Sequence, residues 1–285
     1  MDLREIYSRK KYAKTSPIIS FEVYPPKDNI EKLYNELSQL KKYNPALVSV
    51  TSTSSATNLQ QNEIVTNIKK TLGFSVMPHL TCIRNSREEV CEYLTQLNRS
   101  DTECILALRG DFPTDGTEIR QDFKYANELV EFIKSQNDIS IAVAGYPEGH
   151  IESPSIQDDI KYLKQKVNAG ADAIYTQLFY DNDKLYKYID LVCHSGIEKP
   201  IIAGIMPIIN YNQIIKMTNL ANITLPKKLS EKIERYKDDN KSMTAMGIEY
   251  TSKQCAELIK SEIYGLHFYT LNKAHSVQAI LDNIL

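Results

Sequence analysis

The sequence repeats one pattern eight times: a short run of β-branched and apolar residues, followed by a longer connecting stretch. The runs recur roughly every 30 residues, which is the size of a βαβ unit. They cover residues 17–25, 47–53, 74–82, 104–111, 140–147, 173–180, 200–207 and 265–272. This alternation predicts eight parallel strands, each joined to the next by a helical crossover.

The connecting stretches carry apolar residues at helical spacing, as in "NIEKLYNELSQLKKY", "REEVCEYLTQLN", "YANELVEFIKSQ" and "IQDDIKYLKQKVNAG". The last connection is the longest and contains "PKKLSEKIERYKDDN" and a final helix, "TSKQCAELIKSEI". Because the strands are apolar enough for burial on both faces, the pattern favours a closed (β/α)8 barrel of the TIM type over an open doubly wound sheet. We therefore predict an α/β protein with a single domain, residues 1–285.

Composition restricts the partners of such a barrel. The formal net charge is −2, and Lys and Arg are scattered along the chain, so no basic patch indicates nucleic acid or an anionic membrane. The N-terminus lacks the apolar core of a signal peptide, and no run is long enough to span a membrane. Neither a disulfide framework nor a zinc site is indicated by the five cysteines, which are Cys82, Cys91, Cys104, Cys193 and Cys255. These features predict a cytoplasmic protein that acts on small molecules. They are compatible with a homo-oligomer.

Polar side chains gather where the predicted strands end. In an α/β barrel the chemistry occurs at the C-terminal strand ends, whose loops meet on one face. Seven of the eight runs end with or beside such residues: Glu22, Thr51, His79, Arg109 with Asp111, Tyr146 with Glu148 and His150, Gln177 with Asp181, and Asn272 with Lys273. Any one of them could cap a helix or lie solvated at the rim. Their agreement over seven strands predicts an active face.

Glu22 lies between Phe21 and Val23 in the first run. An ionised carboxylate in apolar surroundings costs several kcal/mol unless it is paired or becomes protonated. Apolar neighbours favour the neutral carboxylic acid, so we predict that Glu22 is a general acid. The alternative is a structural Glu22 bonded to a neighbouring strand.

Two other motifs limit the cofactors that the residues themselves indicate. The loop "AGYPEGH" offers only Glu148 and His150 as ligands, which is too few for a metal site, and no metal is predicted. The stretch "GADAIYTQLFYD" lacks the G-x-G-x-x-G spacing, so no Rossmann module is predicted.

Seven segments, in order along nearly the whole chain, resemble the methylenetetrahydrofolate reductase family. They are "SFEVYPPK" (20–27), "PHLTC" (78–82), "LALRGD" (106–111), "AGYPEGH" (144–150), "KVNAGADAIYTQLFYDND" (166–183), "IIAGIMPI" (201–208) and "GLHFYTLNK" (265–273). The resemblance implies a barrel that holds non-covalent FAD and is reduced by NADH or NADPH. The reduced protein would convert 5,10-methylenetetrahydrofolate to 5-methyltetrahydrofolate for one-carbon metabolism and methionine synthesis.

The resemblance also implies a role for individual residues. Glu22 corresponds to the general acid, Asp111 to a catalytic carboxylate near flavin and folate, and Gln177 to a folate contact. Gln213 and Lys273 are further candidates for substrate binding. The residues implied in cofactor binding are Thr51, Ser52, Ser54, His79, Arg109, Gly110, Asp111, Ala126, Tyr146, His150, Asp159, Tyr162 and Lys166. Of these, Arg109, His150 and Lys166 suit the FAD phosphates and ribitol, whereas Glu148 is expected to be structural.

Two positions depart from the family pattern. The loop "VTSTSSATN" has serines and threonines where the family commonly has a Tyr-Gly-Ala-type loop, so Ser52 and Ser54 would contact FAD through an altered loop. Lys273 stands where the family often has arginine, and a point charge therefore replaces a planar fork. We expect this second change to alter contacts with the substrate tail or the dinucleotide and to leave the reaction intact.

The sequence alone leaves other functions open. A flavin-free barrel lyase or aldolase could use Glu22 and Lys166 for proton transfer or imine chemistry, and a degenerate barrel could act as a non-catalytic partner subunit. The joint presence of Glu22, Asp111 and Gln177 favours the reductase, in which Asp111 would stabilise a developing substrate cation. Because the chain ends soon after the eighth run, neither a C-terminal regulatory domain nor inhibition by adenosylmethionine is expected.

Overall fold

The eight predicted runs form the eight strands of a closed parallel barrel in the computed structural model, which describes residues 2–12, 17–52, 58–83, 85–112 and 122–285. The strands pair in chain order, and the eighth closes the barrel against the first. They are β1 (Ile18–Val23), β2 (Leu47–Val50), β3 (Val76–Thr81), β4 (Cys104–Leu108), β5 (Ser140–Gly145), β6 (Ala173–Thr176), β7 (Ile201–Ile205) and β8 (Gly265–Tyr269). The predicted (β/α)8 barrel is therefore confirmed.

The helices in the described ranges surround this barrel. They are α1 (Leu3–Tyr12), α2 (Ile30–Leu40), α3 (Asn58–Asn67), α4 (Arg87–Arg99), α5 (Ala126–Gln136), α6 (Ile156–Asn168), α7 (Asn182–His194), α8 (Tyr211–Ala221), α9 (Lys227–Arg235), α10 (Asn240–Lys260) and α11 (His275–Ile284). A 3-10 turn (Lys41–Tyr43) follows α2, and a π-helical turn (Ile68–Leu72) follows α3. The buried helix faces pack on the outward residues of the strands, such as Phe21 and Val48.

The predicted runs continue past the observed strand ends because the loops that follow are also apolar and buried. After β6, the side chains of Leu178, Phe179 and Tyr180 are almost fully buried although they are not in a strand. Hydrophobicity therefore located each strand but not the residue at which it ends.

The helix α10 is longer than the predicted stretch 251–263, because it begins at Asn240. The Asp239 side chain caps it by accepting hydrogen bonds from the amides of Lys241 and Ser242. Gly247 lies inside this helix, where an added Cβ would stand 1.9 Å from the carbonyl oxygen of Ile208. Glycine at this position therefore permits close packing of α10 against Ile208. Its helix propensity is about 1 kcal/mol less favourable than that of alanine and would by itself indicate a break in the helix.

The helix α1 was not predicted, and it closes the N-terminal end of the barrel. Its residues Leu3, Ile6 and Tyr7 are buried among inward side chains of the strands, including Met77. The amide of Leu3 donates a hydrogen bond to Ser140 Oγ at the start of β5 (3.0 Å).

The inward residues of β1, β2 and β3 change from apolar to polar toward the C-terminal end. On β1, Ile19, Phe21 and Val23 pack outward against the helices, so the alternating positions, Ser20 and Glu22 among them, point into the barrel. Polar side chains therefore gather inside the C-terminal mouth, where barrels carry their active sites.

The described residues give no sign of a membrane span or a metal cluster. None of their helices combines the length and the apolar character needed to cross a bilayer. No group of three His, Cys, Asp or Glu among them could hold a metal ion, and all five cysteines are free thiols.

Candidate active site

Glu22 lies at the C-terminal end of β1 and contacts two histidines inside the barrel. Its Oε2 is 3.4 Å from Nε2 of His79 on β3 and 3.7 Å from Nε2 of His267 on β8. The Glu22 side chain is 19% exposed, whereas both histidines are buried. We call these three residues the carboxyl centre, and its one partly exposed group is the carboxyl that was predicted to donate a proton.

His79 contributes a neutral ring to the carboxyl centre. Burial lowers its pKa to about 4, and the opposing effect of Glu22 does not offset this. At neutral pH the contact between His79 and Glu22 is therefore not an ion pair. The buried His79 Nε2 has no hydrogen-bond partner among the described residues, because the 3.4 Å contact lacks hydrogen-bond geometry.

His267 is held from several sides. Ser20 Oγ is 2.8 Å from its Nδ1, and Ser49 Oγ is 3.3 Å from its Nε2. Its ring packs edge-on against Tyr175 and Tyr269, with centroid distances of 4.9 and 5.6 Å. These contacts fix the orientation of the imidazole that faces Glu22.

The alternative of a structural Glu22 finds little support in its hydrogen bonds. Thr270 donates to the main-chain carbonyl of Glu22, from Oγ1 at 2.7 Å and from its amide at 3.2 Å. These bonds tie β1 to β8 through the backbone, and they would survive a change of the side chain. General-acid function of Glu22 stays a prediction, with a geometry that suits it.

A second group of charged side chains lies across the barrel, around β4, β5 and α6. We call it the cation centre, and it comprises Arg109, Tyr146, His150, Asp159 and Lys166. Lys166 Nζ donates a hydrogen bond to the carbonyl of Ala144 (2.6 Å) and lies 5.7 Å from the centroid of the Tyr146 ring. The His150 ring packs edge-on against Tyr146 at 4.7 Å.

Burial sets the charges within the cation centre. It lowers the pKa of Lys166 to about 8, against the raising effect of Asp159. Burial also raises the pKa of the Asp159 carboxyl, to which Ser153 Oγ donates a hydrogen bond (3.0 Å). Asp159, Tyr162 and Lys166 share one face of α6 because they are spaced by three and four residues. Tyr162 on that face is 48% exposed and accessible to a ligand.

Arg109 is engaged by a residue that the sequence analysis did not identify. Both of its terminal nitrogens contact the carboxylate of Glu152, with Nη2 2.9 Å from Oε1, and this pair raises the pKa of Arg109. Asp111, two residues further on, is exposed, and it raises the pKa of Arg109 less than Glu152 does. A phosphate bound by Arg109 would therefore share or displace Glu152.

The other predicted site residues lie at the same face, on separate loops and helix starts. Gly110 follows β4 with a φ of +86°, a left-handed conformation that glycine adopts without strain. Ala126 begins α5, and Gln213 lies in the first turn of α8, where its amide is capped by Asn210. Lys273 is exposed after β8.

Gln177 and the loop after β2 complete the set. Gln177 follows β6, and its Oε1 accepts a hydrogen bond from the amide of Leu178 (2.9 Å). Thr51 and Ser52 are half-buried, and Ser54 lies outside the described residues. Glu148, expected to be structural, accepts hydrogen bonds from Thr224 and so links the loop after β5 to the segment between α8 and α9.

The residues present fit a flavin dinucleotide. Thr51 Oγ1 and His79 Nε2 are buried polar atoms that lack partners in the described part of the chain, although such atoms are nearly always hydrogen-bonded. Both belong to the predicted flavin contacts, and a polar ligand at the mouth would satisfy them. The cation centre supplies the positive charge that phosphates require.

Several residues of the site were not singled out from the sequence. Ser20, Ser49 and His267 could have been found by applying the strand period of two to Glu22 and Thr51, since inward residues alternate. Gln61 on α3, whose amide nitrogen donates to the carbonyls of Val50 and His79, had no such signal.

Comparisons with known proteins show what this chain is similar to. Residues 7–285 match the protein family described as methylenetetrahydrofolate reductase. The chain is 35% identical to methylenetetrahydrofolate reductase 1 of Schizosaccharomyces pombe, with 93% of this chain and 45% of the relative covered. It is 34% identical to methylenetetrahydrofolate reductase (NADH) 1 of Arabidopsis thaliana, with 93% and 48% covered. It is also 34% identical to the 5,10-methylenetetrahydrofolate reductase of Pectobacterium carotovorum, with 93% and 89% covered.

The chain thus spans about half the length of the yeast and plant relatives and most of the bacterial one. Among solved structures, a Clostridium thermocellum protein described as binding two copies of 5-methyl-5,6,7,8-tetrahydrofolic acid aligns with a TM-score of 0.66 and 14% identity. The alignment covers 98% of this chain and 97% of that one. At this identity the likeness shows a shared fold.

Proposed function

Because the chain belongs to the methylenetetrahydrofolate reductase family, we propose that it reduces 5,10-methylenetetrahydrofolate to 5-methyltetrahydrofolate. Non-covalent FAD would be the cofactor, and NADH or NADPH the electron donor. The observation that carries the proposal is the position of Glu22, a partly exposed carboxyl between two buried histidines at the mouth of the barrel.

The cofactor part of the proposal rests on the cation centre. FAD, when bound, would accept a hydride from the nicotinamide nucleotide and pass it to the folate. Lys166, His150 and Arg109 would hold its phosphates and ribitol. Thr51 and His79 would gain polar partners for atoms that are otherwise buried without one.

The protein's own contribution to the folate step is a proton. The five-membered ring of methylenetetrahydrofolate must open to an iminium ion before it accepts a hydride, and opening requires protonation of the leaving nitrogen. Glu22, as the carboxylic acid, would donate that proton. Because His79 is neutral at pH 7, its contact with Glu22 is not an ion pair.

Two further residues would act on the same substrate. Asp111, which follows β4, would place a negative charge near the iminium ion and so stabilise it. Gln177, at the end of β6, would hydrogen-bond the folate. Both lie at the C-terminal face on which Glu22 opens.

The proposal is tested with purified protein under anaerobic conditions. We expect yellow protein that releases FAD, not FMN, on denaturation, and bound flavin that is bleached by NADH or NADPH and regains its colour with methylenetetrahydrofolate. Colourless protein that also fails to bind added FAD would contradict the proposal and favour the flavin-free lyase or aldolase.

A further inference from the structure

The loop after β8 contains two consecutive non-glycine residues in the left-handed region of backbone conformation. Leu271 has a φ of +51° and Asn272 a φ of +55°. Asparagine adopts this region more readily than most residues, but leucine does so only with strain. In the described ranges, the other non-glycine residues with positive φ stand singly beside a helix or a 3-10 turn: Asn29, Asn44, Asp101, Asn222 and Glu262. Such strain persists where surrounding contacts hold the backbone in place, and it is often found at functional sites.

The side chain of Asn272 holds the main chain of the residue that follows β1. The amide of Tyr24 donates a hydrogen bond to Asn272 Oδ1 (3.0 Å), and Asn272 Nδ2 donates to the carbonyl of Tyr24 (2.8 Å). One side-chain amide thus pairs both main-chain polar groups of one residue, as a neighbouring strand would. The register of β1 and β8 ends at Glu22 and Tyr269. These two bonds, which we call the Asn272 clamp, therefore continue the contact beyond the paired strands.

Neighbouring hydrogen bonds anchor the rest of this loop. Thr270 donates two of them to the carbonyl of Glu22, and its hydroxyl oxygen accepts one from the amide of Asn272 (3.1 Å). The amide of Ala274, just before α11, donates to Glu36 Oε2 on α2 (2.7 Å). The loop is therefore attached to β1 on one side of the clamp and to α2 on the other.

The position of the Glu22 carboxyl depends on its main chain. Its contacts with His79 and His267, at 3.4 and 3.7 Å, are longer than ordinary N–H···O hydrogen bonds and do not hold the side chain in one place. The Asn272 clamp fixes the backbone at Tyr24, two residues after Glu22. Fixing this backbone limits where the carboxyl can lie.

Stability alone does not explain the Asn272 clamp. Tyr24 is 41% exposed, and both clamp bonds lie at the exposed rim, where water could replace them at little cost in free energy. The left-handed Leu271 opposes the same loop conformation. A role in positioning accounts for the clamp better than a role in stability.

We propose that Asn272 is a positioning residue, whose clamp on Tyr24 places the Glu22 carboxyl where it can protonate the folate. A small displacement of a reacting group can slow a reaction by about 100-fold, so a clamp that adds little stability can have a kinetic effect. The inference rests on the proposed function for its consequence in turnover, whereas the effect of the clamp on the backbone is measured without it.

The test variant is Asn272→Gly, because glycine keeps the left-handed conformation without strain and removes both clamp bonds. Asn283→Ala is the matched control, because the Asn283 side chain, near the C-terminal end of α11, donates to Ser252 Oγ on α10 (3.0 Å). Stopped-flow absorbance measures flavin reduction by NADH and flavin reoxidation by methylenetetrahydrofolate separately. Nitrogen-15 NMR of tyrosine-labelled full-length protein measures hydrogen exchange at the Tyr24 amide, whose signal is assigned by its loss in Tyr24→Phe.

We expect Asn272→Gly to speed hydrogen exchange at the Tyr24 amide about three- to tenfold, the effect of one neutral hydrogen bond. Reoxidation should slow by about 5- to 50-fold, in line with the loss of two such bonds, while flavin reduction and FAD content stay near wild type. Asn283→Ala should change none of these. In the Glu22→Gln background, Asn272→Gly should slow reoxidation by less than about twofold, because no proton donor remains to be positioned.

The proposal is overturned if the Tyr24 amide exchanges at the wild-type rate, if reoxidation is unchanged, or if both half-reactions slow equally. It is also overturned if Asn272→Gly slows reoxidation by the same factor with and without Glu22→Gln, since Asn272 would then act through another group. Should wild type not reduce methylenetetrahydrofolate at all, the proposed function fails. Faster exchange at Tyr24 in Asn272→Gly would then still show that the clamp fixes the backbone beside Glu22, and unchanged exchange would refute the clamp.

Discussion

The carboxyl centre and the cation centre occupy opposite halves of one barrel mouth and are built differently. Glu22, His79 and His267 are inward residues of strands, so barrel register fixes their positions. Arg109, His150 and Lys166 come from loops and a helix, and Arg109 already has an exchangeable partner in Glu152. The group proposed to move a proton thus has a rigid support, whereas the groups proposed to bind anions can change partners. This difference predicts that the two halves can be impaired separately.

The substitution Glu22→Gln should produce the largest difference between the two half-reactions. Glutamine keeps the shape of the side chain but cannot donate the proton, so reoxidation by methylenetetrahydrofolate should fall by about 100-fold or more. Flavin reduction by NADH and FAD content should stay near wild type. The control is Glu89→Gln, outside the site in the capping box of α4, which glutamine can still complete. Equal losses in both half-reactions, or loss of FAD, would make Glu22 a structural carboxylate.

The burial of His79 in the carboxyl centre should affect how the free energy of unfolding changes as the pH falls. His79 has a pKa of about 4 in the folded protein against 6.5 when exposed, so the unfolded chain binds more protons between these values. The stability due to neutral His79 is complete above pH 6.5 and is lost as the pH falls toward 4, by about 3 kcal/mol at most. In urea unfolding at pH 7 and pH 4.5, His79→Gln should lose less stability on acidification than wild type. An equal loss in both proteins would show that His79 is not held neutral.

Substitutions in the cation centre should instead change the affinity of the protein for FAD. Lys166→Met should weaken FAD binding by about 10- to 100-fold at pH 7, the range for a charged hydrogen bond. Since Lys166 loses its charge as the pH rises through about 8, wild-type affinity should decline above that pH, whereas Lys166→Met should be insensitive there. Fluorescence titration of FAD measures both. Lys164→Met on the same helix is the control, because Lys164 donates to Ser195 and not to the site. Parallel pH profiles in wild type and Lys166→Met would remove Lys166 from the FAD site.

The smallest effect is expected at the rim, where Lys273 is exposed and belongs to neither centre. Lys273→Ala should raise the KM for folate or nucleotide about two- to fivefold, in line with a solvated charge contact, and leave FAD content intact. Steady-state kinetics with each substrate varied will show this. Unchanged KM values would mean that Lys273 is only a solvated surface residue.

The strands and the active face could be predicted because both depend on local patterns. Each strand is indicated by its own apolar run. The polar residue at its end can be recognised without reference to any other strand. The partners of Glu22 could not be predicted in the same way, since the contact with His267 arises only when β8 closes against β1 in a particular register. The Arg109–Glu152 pair and the role of α1 likewise depend on contacts between segments that no local period connects.

The central claim is that the two halves act independently, and the double variant Glu22→Gln/Lys166→Met tests it most directly. Independent sites give additive effects, so the FAD dissociation constant of the double variant should equal that of Lys166→Met within about twofold. Its reoxidation rate at saturating FAD should equal that of Glu22→Gln within the same margin. If either constant differs by more than about tenfold from that of the corresponding single variant, the halves are coupled and the separation of proton transfer from cofactor binding is wrong.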